Sequence, residues 1–94
     1  MNKEEIAEKL EKKGFDEDEA EALSDLIQAA DAAMDGDAFS QAQLRKISGE
    51  DREVVAGFFE EKGFEETAED IRGPLKLYRS LYGFYEEEVR ASSE

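Results

Sequence analysis

Asp16-Glu17-Asp18-Glu19-Ala20-Glu21-Ala22-Leu23-Ser24-Asp25-Leu26-Ile27-Gln28-Ala29-Ala30-Asp31-Ala32-Ala33-Met34 is the most regular stretch of the chain. Leu23, Leu26, Ile27, Ala30 and Met34 return at helical spacing, so one face of this segment is apolar. Asp16 is a good N-cap, and Glu19 stands where it completes a capping box. Acids in the first turn suit the positive end of the helix dipole. Asp35-Gly36-Asp37 ends the helix.

The same pattern extends in both directions. Upstream, a helix is predicted from Lys3 to Lys13, with Ile6, Ala7 and Leu10 on its face. Gly14-Phe15 stops it, because glycine takes the left-handed conformation and the next apolar residue packs back on the last turn. Downstream, a short helix is predicted from Ser40 to Ile47, using Phe39, Leu44 and Ile47. Ser48-Gly49-Glu50-Asp51 opens a fourth, which carries Val54, Val55, Phe58 and Phe59 and ends at Gly63-Phe64. Gly57 inside it suggests close approach by a neighbour. A brief helical turn follows from Glu65 to Ile71. Pro74 then stands as the first residue of a last helix with Leu77, Tyr78, Leu81, Tyr82, Tyr85 and Val89 in its stripe. Gly83 is a potential kink.

No strand-like alternation or linker interrupts these segments. The expected fold is all-α, a compact bundle of five or six short-to-medium helices. It forms one domain over residues 1–90, with a frayed C-terminus at 91–94. At 94 residues the chain has room for one modest core. Six Phe and three Tyr distinguish it from a disordered acidic chain.

Charge is the dominant feature of the composition. The chain holds 26 Asp and Glu against 12 Lys and Arg, for a formal net charge of -14. Each half, 1–47 and 48–94, carries the same excess of acids. Ile71 to Tyr85 alone contains no acid, while Arg72, Lys76 and Arg79 fall within it. A surface of this sign repels nucleic acids and anionic lipid and attracts basic proteins and divalent cations. The N-terminus has no apolar leader core, and Val54 to Phe59 is far too short to span a bilayer. A cytoplasmic protein with no membrane association is therefore expected.

Glu11-Lys12-Lys13-Gly14-Phe15 is echoed by Glu60-Glu61-Lys62-Gly63-Phe64. A shared helix stop followed by acids accounts for the echo locally; a duplicated three-helix unit would instead give a pseudo-two-fold bundle. The stretch from Leu10 to Ile27 resembles a repeat of the RecX recombination regulators, with its Lys-Gly-Phe and acids between helices. It also resembles a ubiquitin-associated domain, in which Gly-Phe follows the first helix. Neither resemblance extends to the rest of the chain, and no binding residue is carried over from either.

The residues available for chemistry are few. With no His and no Cys, imidazole bases, thiolate nucleophiles and zinc–thiolate sites are excluded. Carboxylate pairs abound, but a small bundle offers little room for a deep cleft, so no enzyme and no cofactor is expected. Asp31, Asp35 and Asp37 around Gly36 outline an EF-hand. With Gly36 at loop position 6, however, Ala33 and Ala42 occupy positions 3 and 12, where oxygen ligands belong. The Asp residues are otherwise caps of an ordinary turn.

Two surfaces remain as candidates for binding. Acidic faces are expected at Asp16, Glu17, Asp18, Glu21 and Asp25, and again at Glu65, Glu66, Glu69 and Asp70. The last helix carries a Tyr/Arg set, Arg72, Lys76, Tyr78, Arg79, Tyr82 and Tyr85, of the composition that binding hot spots favour. Its cations near the start and Glu86, Glu87 and Glu88 near the end oppose the helix dipole and call for compensation.

These features predict a small acidic, non-catalytic module. Its expected role is regulator or inhibitor of a basic, nucleic-acid-binding protein, with carboxylates one helical turn apart mimicking a phosphate backbone. The alternative is a structural domain that self-associates into a homodimer through Leu77, Leu81 and Val89, its acids providing solubility or salt adaptation. A degenerate calcium-binding helix pair is a third reading.

Overall fold

A computed structural model describes residues 1–91. The described residues form six α-helices: α1 (Lys3–Lys12), α2 (Glu17–Met34), α3 (Ala38–Arg45), α4 (Gly49–Glu61), α5 (Glu65–Arg72) and α6 (Leu77–Phe84). The chain then winds directly into a π-helical segment, Tyr85–Arg90. No described residue lies in a strand. The expected all-α bundle is thus the observed architecture. Ser92, Ser93 and Glu94, most of the expected frayed end, lie outside the described residues. No described helix is long and apolar enough to cross a membrane.

Local chemistry places most of the boundaries. Asn2 and Asp16 each form a full capping box, with Glu5 and Glu19 respectively. Asp37 and Ser48 cap α3 and α4 through their side chains. Three helices end on a glycine with positive φ: Gly14 at 108°, Gly36 at 96° and Gly63 at 88°. At each, the amide after the glycine reaches back five residues, as in Phe15 N to Leu10 O (3.2 Å) and Phe64 N to Phe59 O (2.9 Å). These are Schellman closures. The sequence echo therefore corresponds to two helical hairpins, α1–α2 and α4–α5, closed by the same turn.

The two turns meet. Phe15 and Phe64 stack with ring centroids 6.0 Å apart and planes 4° from parallel. Phe59 and Phe84 complete the cluster edge-on, at 5.6 Å from Phe15 and 5.1 Å from Phe64 respectively. Around it, α6 packs on α2, α3 and α5, so it is the helix that joins the hairpins. Ile6, Leu10, Leu23, Ile27, Ile71, Leu81 and Val89 are fully buried in one continuous core. Burying a side chain of this size stabilises the fold by roughly 1.5–3 kcal/mol.

Several expectations are corrected. Helix α3 begins at Ala38 and ends at Arg45, two residues earlier at each end than predicted, because the Asp37 carboxylate accepts from Ser40 N at 3.0 Å and fixes the start. Phe39 then falls in the first turn and points outward, 75% exposed. Met34 and Val54, assigned to apolar faces, are also exposed. A Cβ built on Gly57 meets nothing within 4 Å, so no neighbour uses the gap. Pro74 does not open the last helix, which starts at Leu77. The Arg52 guanidinium donates to the carbonyls of Ile71, Gly73 and Leu75, holding this stretch as a bend. Gly83 lies within α6, whose winding changes to π at Tyr85.

Candidate functional site

The first acidic face becomes a groove once α1 lies beside α2. Glu4, Glu8 and Glu11 line it from α1 and Glu17 and Glu21 from α2, with Lys3 at one end and Ala7 on the floor. Its volume is about 380 Å³. The α1 glutamates share a face because they recur at helical spacing on the side away from Ile6 and Leu10. Sequence reading missed these three: it used α1 only for its apolar face, although their spacing was visible. Lys3 is bound to the α2 rim, 3.0 Å from Asp25 and 3.9 Å from Glu21. The hydrogen bond with Asp25 raises its pKa above the usual lysine value.

Not every acid of this face is available to a partner. Asp16 accepts from Glu19 N at 2.8 Å, and the Glu19 carboxylate in turn accepts from Asp16 N and pairs with Lys62 at 3.5 Å. Asp16 therefore serves the helix start, whereas Glu17, Asp18 and Glu21 are exposed. Asp25 is exposed as well, but holds Lys3.

The second acidic face also forms a depression. Glu65 and Glu66 meet Glu87 and Glu88 of the π segment across a space of about 310 Å³, beside Gly63, Phe64 and Thr67. Glu69 and Asp70, predicted with them, are exposed on α5 but do not line it. Glu88 pairs with Lys13 at 3.3 Å, tying the π segment to the first hairpin. Glu65 and Glu66 also have a local role: α5 starts without a side-chain cap, and acids in its first turn offset the exposed amides.

The Tyr/Arg set is dispersed. Tyr78 and Tyr85 are buried, and burial raises the Tyr85 pKa. Tyr82 is half-buried and donates to Glu86 Oε1 at 2.7 Å, which raises its pKa above the ordinary phenol value. Arg72 belongs to the C-terminal end of α5, where a cation suits the dipole. It forks between Glu53 (2.8 Å) and Glu60 (3.1 Å) of α4. Those hydrogen bonds raise the pKa of its guanidinium and lower that of the Glu53 carboxyl. Lys76 and Arg79 are exposed near the start of α6. These placements answer the opposed dipole: one cation is on another helix, and Glu86 is paired with Arg90 at 3.2 Å.

The EF-hand outline does not close into a site. Asp31 stands within α2, Asp35 follows its end, and Asp37 caps α3. Among the described residues no three carboxylates converge where one ion would meet them all. The apolar face offered for self-association is also occupied, because Leu77, Leu81 and Val89 are buried within the monomer.

Compared with known proteins, the chain matches no family model, no curated protein and no solved structure.

Proposed function

We propose that this is a small non-catalytic binding module that docks through the α1–α2 glutamate groove on a basic protein, restraining it by standing in for nucleic-acid phosphates. One observation carries the proposal: five carboxylates on two rigid helices face one groove that contains a single lysine. Carboxylates one turn apart on α1 are spaced by ~5.4 Å along the helix. An extended run of Lys and Arg side chains on a nucleic-acid-binding surface can meet such a row without reorganising either partner. Charges held on helices lose less freedom on binding than charges on a flexible tail. The absence of His and Cys supports the non-catalytic part of the proposal.

The test is affinity capture from native-host lysate at low and high salt, using the wild type and a Glu8→Lys/Glu17→Lys variant. Both positions are exposed, and neither carries a cap. The expected result is a basic partner captured by the wild type at low salt and lost by about 0.5 M salt, where the Debye length falls well below 10 Å. The variant should bind at least about tenfold more weakly, since reversed charges oppose the partner directly. A partner retained equally by the variant, or binding indifferent to salt, would exclude the groove.

A further inference from the structure

Among the described residues of this acidic protein, a cleft of opposite character stands apart. It lies between the α3–α4 connection and the bend before α6, and its volume is about 180 Å³. Arg45, Arg52 and Lys76 line it, and no Asp or Glu does. Its walls are apolar, with Leu44 and Ile47 on one side and Leu75 and Leu77 on the other. Leu75 is substantially exposed at the rim.

The cations here differ from most others in the chain. Lys3, Lys13, Lys62, Arg72 and Arg90 each pair with a carboxylate. Arg45, Arg52 and Lys76 pair with none among the described residues, and neither do the adjacent Lys46 and Arg79. Arg52 is held in place by main-chain carbonyls alone, which orient its charge without neutralising it. Lys76 Nζ stands 5.9 Å from the centre of the Tyr78 ring. In a chain with 26 acids, a cleft lined by three cations free of ion pairs is a separate electrostatic feature, and the acid-free run from Ile71 to Tyr85 supplies five of its nine lining residues.

We infer that this cleft binds a short acidic segment of another protein, with one large apolar side chain seated between Leu44, Ile47, Leu75 and Leu77 and flanking carboxylates on Arg45, Arg52 and Lys76. Apolar walls select an anchor side chain; the unpaired rim cations select its acidic neighbours. The volume is below the roughly 300–1,000 Å³ typical of small-molecule pockets and suits one anchor better than a nucleotide. The net charge of -14 also works against a polyphosphate more strongly than against a peptide with two or three carboxylates. This site is independent of the glutamate groove and of opposite preference.

Selection of a random peptide-display library on the full-length wild type and on an Arg45→Glu/Lys76→Glu variant tests it. Both side chains are exposed, so reversal leaves the core intact, and circular dichroism verifies the fold. The wild type should enrich peptides with Asp or Glu around a Leu, Ile or Phe. An enriched peptide, titrated by calorimetry, should bind the variant at least about tenfold more weakly. It should bind the Glu8→Lys/Glu17→Lys variant at least as well as the wild type, which separates this site from the groove. A selected pool no more acidic than the input, or equal binding to the Arg45/Lys76 variant, would overturn the inference. Concentration-dependent association of the protein alone, abolished by the same variant, would also overturn it by showing that a second copy occupies the cleft.

Discussion

Gly57 and Gly63 stand in and just after the same helix, yet substitution at each meets a different constraint. Gly57 is interior to α4 with ordinary helical backbone, and a Cβ there meets nothing within 4 Å. Gly57→Ala should therefore stabilise the protein by about 0.5–1 kcal/mol, the usual difference in helix propensity. Gly63 has φ of 88°, where an L side chain meets its own backbone. Gly63→Ala should destabilise by about 1–2 kcal/mol although the space around it is equally open. Urea unfolding of both variants checks the pair; equal effects would refute the assignment. The Gly-Phe stop was legible in the sequence because its cause lies within a few residues. The openness around Gly57 was not, because it depends on where other helices lie.

At the scale of elements, α3 is a short helix whose exposed Phe39 contributes nothing to the core. Its start depends on Asp37, whose carboxyl is held below the usual range by hydrogen bonds from the Ser40 hydroxyl and amide. A carboxyl with a folded-state pKa below its unfolded value stabilises the fold above the unfolded pKa and loses that contribution as pH falls through the folded one. Asp37→Ala should therefore lower the melting temperature at about pH 7, and the gap from wild type should close as the pH falls below the unfolded carboxyl's value and through the lower native one. A gap that stays constant with pH would show that Asp37 acts by packing rather than by charge. The same helix shows where sequence reading failed. Periodicity placed Phe39 inward, but the cap at Asp37 fixed the phase of the helix and turned that residue out. At α6 the failure was again non-local: Arg52, far back in the chain, gathers the Gly73 and Leu75 carbonyls together with that of Ile71 near the end of α5, and holds a bend where Pro74 was expected to open a helix.

Across the whole molecule, the ion pairs oppose a much larger self-repulsion. Most of the described pairs lie at the surface, where solvent screening leaves each only a small contribution, and Lys62–Glu19, with side chains 24% and 13% exposed, is the more enclosed exception. The excess of 26 acids over 12 bases is spread over both hairpins and cannot be neutralised within the chain. Five of these acids line the α1–α2 groove, and its composition shows why only two of them were legible as a face: Glu17 and Glu21 stood in an evident acidic run, while Glu4, Glu8 and Glu11 joined them only through helix pairing. Salt weakens both attraction and repulsion, so whichever is stronger decides the direction of the change. Repulsion is stronger here, and the melting temperature should rise as sodium chloride increases from about 0.01 to 0.5 M, over which the Debye length shrinks from about 30 Å to a few Å. The Glu8→Lys/Glu17→Lys variant removes two negative charges from the groove and adds two positive ones, so it should gain less from added salt than the wild type; its absolute melting temperature also carries the loss of an acid from the first turn of α2. Calorimetric scans of both proteins across the series measure this directly. If the wild type melted lower in high salt, the surface pairs would outweigh the repulsion.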